Sequence, residues 1–221
     1  MLLEHPESNS HKRWYIKGGQ DNPMRNLIYA INITLDGCCD HTNRAFAVVR
    51  FAEQVANDEM LEYCTQLLRD ADLFVYGRKT YQLMVPYWPD VAKDQSASKG
   101  DRDFAQAFES ANKVVFSQSL DDAEAKKGDK NARVVRTNLR DEILKLKQEP
   151  GKNILAGGVD IPSQLIELGL VDEFRFVVHP VLAGEGRRLL EGISLPEKLG
   201  LKLVESKPFK SGCVALRYLK R

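Results

Sequence analysis

Two short stretches combine residue types suited to holding an anion. In Gly77-Arg78-Lys79-Thr80, a glycine is followed by two cations and a hydroxyl where a buried strand gives way to a helix start. Glycine lets backbone approach a ligand, helix N-termini carry partial positive charge, and Arg, Lys and Thr add donors. Ala156-Gly157-Gly158-Val159 is a second strand-to-helix turn, with two side-chain-free residues where a tight turn needs one. The chemistry suggested is phosphate or pyrophosphate binding; the alternative is that the glycines serve turns and the cations are solvated. Neither turn matches a P-loop or G-x-G-x-x-G, and Gly184-Glu185-Gly186 has Leu189 where a third glycine would stand.

A third stretch, Thr34-Leu35-Asp36-Gly37, puts a carboxylate at the end of the first strand, as a group for orienting or protonating substrate or as a plain Asp-Gly turn. His41 is a candidate substrate contact. Trp88, in Tyr87-Trp88-Pro89, is a candidate wall for a planar substrate or a loop staple over the core. The histidines have no ligand-spaced cysteines or carboxylates, so no metal site is expected. Serine-nucleophile and zinc-protease motifs are absent.

These residues need a scaffold. The chain has 221 residues, 43% hydrophobic and 29% charged, the range of a folded single domain. Thirty-two Lys and Arg against 31 Asp and Glu leave a net charge of +1, which argues against a nucleic-acid or anionic-membrane binder. The apolar runs are too short to span a bilayer, and four cysteines without C-x-x-C spacing suit a reducing cytoplasm. Residues 1–23 are polar and without periodicity, an extension outside a domain of residues 24–221.

From Asn26 onward strands and helices alternate. Strand-like runs at Leu27–Ile31, Leu73–Tyr76, Val114–Phe116, Arg133–Arg136, Ile154–Ala156 and Phe174–Val178 are separated by amphipathic helices at 57–71, 103–111, 138–148 and 161–168. Pro86–Gly100 reads as an exposed loop and Asp121–Lys130 as a charged surface segment. Leu201–Glu205 and Cys213–Leu219 are spaced to pair as an antiparallel hairpin. The fold class is α/β, a single domain with a mixed, mostly parallel central sheet and helices on both faces. In such sheets ligands bind beyond the carboxyl ends of the strands, where both glycine turns should gather.

The order and spacing of several pieces resemble the dihydrofolate reductase-like superfamily, and within it stand-alone relatives of the C-terminal reductase domain of the bifunctional riboflavin biosynthesis protein. The pieces are Ala30–Gly37, Ala71–Tyr81, Tyr87–Pro89, Val114–Ser117, Ile154–Gly158, Gly169–Glu173 and His179–Gly186. The resemblance implies a reductase using NADPH, with NADH as the alternative. It assigns phosphate contacts to Gly77, Arg78, Lys79, Thr80, Gly157, Gly158 and Val159, places Ala30 by the nicotinamide, and gives Ser117 and Gln118 the adenosine side. Gln118 departs from the Arg or Lys the family often has there; Arg78 or Lys79 would then supply charge for a 2′-phosphate. On this reading Asp36 is the catalytic candidate, His41 and Trp88 are the candidates to face substrate, and a homodimer is expected that acts on a small molecule, heterocycles among the candidates. A non-catalytic nucleotide binder and a flavin or phosphosugar binder are the rival readings. Gly158→Val is expected to abolish cofactor binding at smaller cost to the fold.

Overall fold

A computed structural model of the protein describes residues 24–40, 58–195 and 197–221. The proposed extension, Asn57 and His41 lie outside the described residues. Eight strands form one sheet in the order β5-β4-β3-β6-β1-β7-β10-β9. In chain order these are β1 (Leu27–Thr34), β3 (Ala71–Gly77), β4 (Asn112–Phe116), β5 (Ala132–Val135), β6 (Asn153–Ala156), β7 (Glu173–His179), β9 (Leu201–Pro208) and β10 (Val214–Lys220). The six strands from β5 to β7 run parallel; β10 is antiparallel to β7 and forms the expected hairpin with β9. A small ribbon pairs β2 (Cys38–Asp40) with β8 (Arg187–Arg188).

Continuous rather than alternating apolar runs suit strands covered on both faces. Leu27, Ile28 and Tyr29 are all buried, and so are Phe74, Val75 and Tyr76. One face, carrying Ile28, Phe74, Tyr76 and Leu155, packs on Leu67 and Leu68 of α1 (Asp58–Arg69) and Phe108 of α4 (Lys99–Ser110). The other, carrying Leu27, Tyr29, Val75 and Ile154, packs on Ile143 and Leu146 of α6 (Leu139–Gln148) and Leu165 and Ile166 of α7 (Asp160–Glu167).

Two segments expected to lack regular structure are helical. Within Pro86–Gly100, α3 (Trp88–Lys93) begins with a proline in its first turn, where a missing N–H costs nothing, and α4 starts at Lys99 behind a Ser98 cap. Asp121–Lys130 contains α5 (Asp122–Gly128), whose Asp121 cap accepts from Ala123 N and Glu124 N. α2 (Arg78–Met84) follows β3 without a loop.

Lys113 on β4 is fully buried. Its ammonium donates to the carbonyls of Phe108 (2.6 Å) and Ala111 (2.9 Å) at the C-terminal end of α4, and pairs with Asp129 at 2.8 Å. Burial lowers its pKa, and Asp129 opposes that shift. Among the described residues no helix is long and apolar enough to cross a membrane.

Candidate functional site

β3 and β6 are neighbours in register, Val75 opposite Ala156, so their carboxyl ends deliver the two glycine turns side by side. The fit is tight. A Cβ on Gly158, whose φ is +86°, would sit 2.2 Å from Thr80 Oγ1, and one on Gly157 would sit 2.7 Å from the Tyr76 ring. The glycines are therefore needed first for the contact between the turns. Gly157 N donates to Val75 O at 3.1 Å, and the Tyr29 hydroxyl donates to Gly158 O at 3.1 Å.

A cavity of about 980 Å³ opens over these turns, lined by Gly77, Arg78, Lys79 and Thr80 from the first and by Gly157, Gly158 and Val159 from the second. Ser117 and Ser119 border it at the end of β4. Arg78 is held toward that border: its Nη1 donates to Ser119 Oγ at 2.8 Å and its Nε to Gln82 Oε1 at 3.2 Å. Ser117 Oγ accepts from Leu120 N at 3.0 Å, which folds the segment back on itself.

The cavity continues along the sheet. Ala30 and Asn32 of β1 lie opposite Arg175 and Val177 of β7, and Tyr63, Cys64, Leu67 and Leu68 of α1 complete the lining. Glu173, 2% exposed, accepts from Arg175 Nε at 2.5 Å and from Arg217 Nε and Nη2 at 3.0 Å. Burial pushes its carboxyl up, but hydrogen bonds and charge from Arg217 and Arg175 prevail and hold it below its ordinary value. Two guanidiniums share the Glu173 carboxylate, and Glu205, the cross-strand neighbour of Arg217, brings a second carboxylate to this end. Burial pushes the Cys64 thiol up to about 12, so it stays protonated. The lining residues include one carboxylate, Asp160, which Arg187 neutralises at 2.5 Å.

Nine of the ten expected cofactor residues thus line one cavity; the tenth, Gln118, does not, and Trp88 and Asp36 also lie outside the lining. Gln118 turns its amide to Arg136 O at 3.1 Å and is not part of the lining, because the Ser117 turn points it along the surface. Trp88 is in the core, 7% exposed and 4.3 Å from the Phe104 ring centroid, so it is a staple and not a substrate wall. Asp36 is outside the cavity lining. Its carboxylate accepts from Thr34 Oγ1 (2.6 Å), Ala183 N (3.1 Å) and Gly184 N (3.0 Å). These bonds, Thr34's first, hold the carboxyl far below its usual range, so it is a poor proton donor and serves to pin the β1–β2 turn to the loop after β7. Gly37, at φ +80°, completes the turn. His41 lies outside the described residues.

Asn32, Tyr63, Arg175 and Arg187 were not singled out from the sequence. A signal existed for Arg175: it alternates with Phe174 and Phe176, so it shares with Val177 the face those rings do not occupy.

With this geometry in place, comparison with known proteins is informative. The RibD C-terminal domain family matches residues 25–215. The chain belongs to that family. Its relatives include the Bacillus subtilis (strain 168) protein YyaP, 32% identical over 196 residues that make up 88% of this chain and 95% of YyaP. The fold is that of a putative riboflavin biosynthesis protein from Shewanella sp. PV-4, at a TM-score of 0.65 and 17% identity, covering 89% of this chain and 99% of that one. It is also found in a diaminohydroxyphosphoribosylaminopyrimidine deaminase/5-amino-6-(5-phosphoribosylamino)uracil reductase from Thermotoga maritima, with a TM-score of 0.60, 15% identity and coverage of 90% of this chain. This chain spans 57% of that longer protein. The family is that of the RibD C-terminal domain, and the fold is shared with these riboflavin-biosynthesis proteins.

Proposed function

We propose that the protein is an NADPH-dependent reductase that delivers hydride to a C=N or C=O carbon of a small, flat substrate. The observation that carries this reading is one cavity that joins a cation-bearing turn and a glycine-glycine turn, both at the carboxyl ends of parallel strands, to a mostly apolar chamber under α1. Arg78, Lys79, Thr80 and Ser119 offer charge and hydroxyls for phosphates, while Ala30 leaves room for a ring against β1. The donor set fits a phosphorylated dinucleotide.

When bound, NADPH would supply the hydride. The chain's own residues position and insulate. Leu67, Leu68 and Val177 exclude water from the reacting end, and Arg175, restrained by Glu173, favours electron-rich substrate atoms. With Gln118 turned away, Arg78 beside Ser119 is the cation available for a 2′-phosphate. Arg78→Ala is expected to weaken NADPH binding by about 1.5–3 kcal/mol, roughly ten- to a hundredfold, and NADH binding far less. Calorimetric titration of both cofactors checks this; equal losses would move Arg78 to the shared pyrophosphate, and no loss would return it to solvent.

The same reading includes a homodimer. Edge strand β9 carries exposed Leu203 and Val204, the kind of edge that proteins cover. Light scattering at micromolar concentration should give twice the chain mass; the mass of one chain would refute it.

A further inference from the structure

Asn32 lines the cavity floor beside Val177 and diagonal to Arg175, and its amide is held from behind. His179, 3% exposed at the end of β7, places Nε2 3.0 Å from Asn32 Oδ1 and Nδ1 3.4 Å from Cys213 Sγ. The Asn32 amide oxygen can only accept, so the His179 nitrogen that faces it is the one that donates. Burial raises the Cys213 thiol and lowers His179 to about 4, so both are neutral at pH 7. Cys213 N donates to Ser211 Oγ at 3.5 Å, which fixes the residue with its thiol against His179 Nδ1. Nδ1 is then the acceptor and Nε2 carries the proton, which must meet the carbonyl oxygen of Asn32. Asn32 Nδ2 has no protein partner among the described residues.

We infer that Asn32 reads the substrate, presenting its amide N–H to an acceptor oxygen of a flat carboxylate- or carbonyl-bearing ligand, and that the Cys213–His179 pair positions it. The inference rests on assigning this end of the cavity to substrate, as proposed above. The guanidinium of Arg175 is the second donor on the same floor, and the facing Tyr63, Leu67 and Leu68 supply the apolar cover for a flat molecule. A floor built of donors selects acceptor-rich ligands and rejects amidines and protonated amines, whose N–H groups would meet N–H groups. His179 and Cys213 are positioning residues, for they act only through the amide.

Two measurements test this on the full chain. In ¹⁵N-labelled protein, long-range proton–nitrogen correlations should show His179 with a bare Nδ1 and a protonated Nε2; the opposite tautomer would turn the Asn32 oxygen to the cavity and overturn the assignment. Benzoate and benzamidine, nearly isosteric but opposite in hydrogen-bonding sense, are then titrated by NMR at millimolar concentration. Benzoate should bind more tightly to the wild type, Asn32→Leu should weaken it about tenfold, and Asn32→Asp should invert the preference. Benzamidine binding as well as benzoate, neither binding, or benzoate unaffected by Asn32→Leu each overturns the proposal. A protein that prefers benzoate through Asn32 yet fails to bind NADPH would keep the acceptor reading and refute the reductase.

Discussion

Gly158→Ala is expected to abolish NADPH binding and to destabilise the fold together. At φ +86° a side chain costs about 1–2 kcal/mol on its own. The larger effect is the Cβ position 2.2 Å from Thr80 Oγ1, a separation no pair of atoms tolerates, so the first turn of α2 must shift and take Arg78 and Lys79 with it. The loss in affinity should exceed a hundredfold, more than about 2.8 kcal/mol at ~1.4 kcal/mol per tenfold. Adding Thr80→Ala to that variant removes the clashing hydroxyl and should restore part of the thermal stability. Wild-type binding and melting in Gly158→Ala would show that the turns do not meet. This revises the expectation from sequence that substitution here would act on the ligand's space and spare the fold.

Lys113→Met should produce the largest loss of stability without touching the site. The substitution strips three hydrogen bonds from the end of α4 and strands Asp129, 9% exposed, beside an apolar side chain. Breaking one side of a buried pair costs about 3–5 kcal/mol, worth roughly 10 °C in a domain of this size. Thermal unfolding followed by circular dichroism measures it. The double variant Lys113→Met with Asp129→Leu should recover much of the loss, because it removes the stranded charge; no recovery would mean that the carbonyls of Phe108 and Ala111 carry the effect.

The parallel core was legible because its strands, such as Leu73–Tyr76, are short apolar runs buried on both faces. The two glycine turns were legible because their residues are consecutive. What escaped was long-range. Nothing local says that Asp36 would be consumed by Ala183 and Gly184, 147 and 148 residues away, or that Glu173 would gather Arg175 and Arg217. Asp36-Gly37 was legible as a turn and as chemistry alike, and only the partners of the carboxylate decide between them. Trp88 carried two readings, substrate wall or staple, and Pro89 in the first turn of a helix that sinks the indole into the core decides for the staple. Asn32 is an ordinary strand residue until His179 is placed behind it.

The position of β1 has a consequence for synthesis. Its two neighbours, β6 and β7, begin at Asn153 and Glu173, more than a hundred residues after β1 ends at Thr34. At typical translation rates, roughly ten seconds pass between the emergence of β1 and that of any strand able to pair with it. During that interval Leu27-Ile28-Tyr29, destined for the center of the sheet, is an unpaired apolar segment on the nascent chain. The strand that carries Ala30 and Asn32 into the cavity is therefore also the one most in need of chaperone cover at the ribosome exit, and the cavity floor closes only when the last third of the chain arrives.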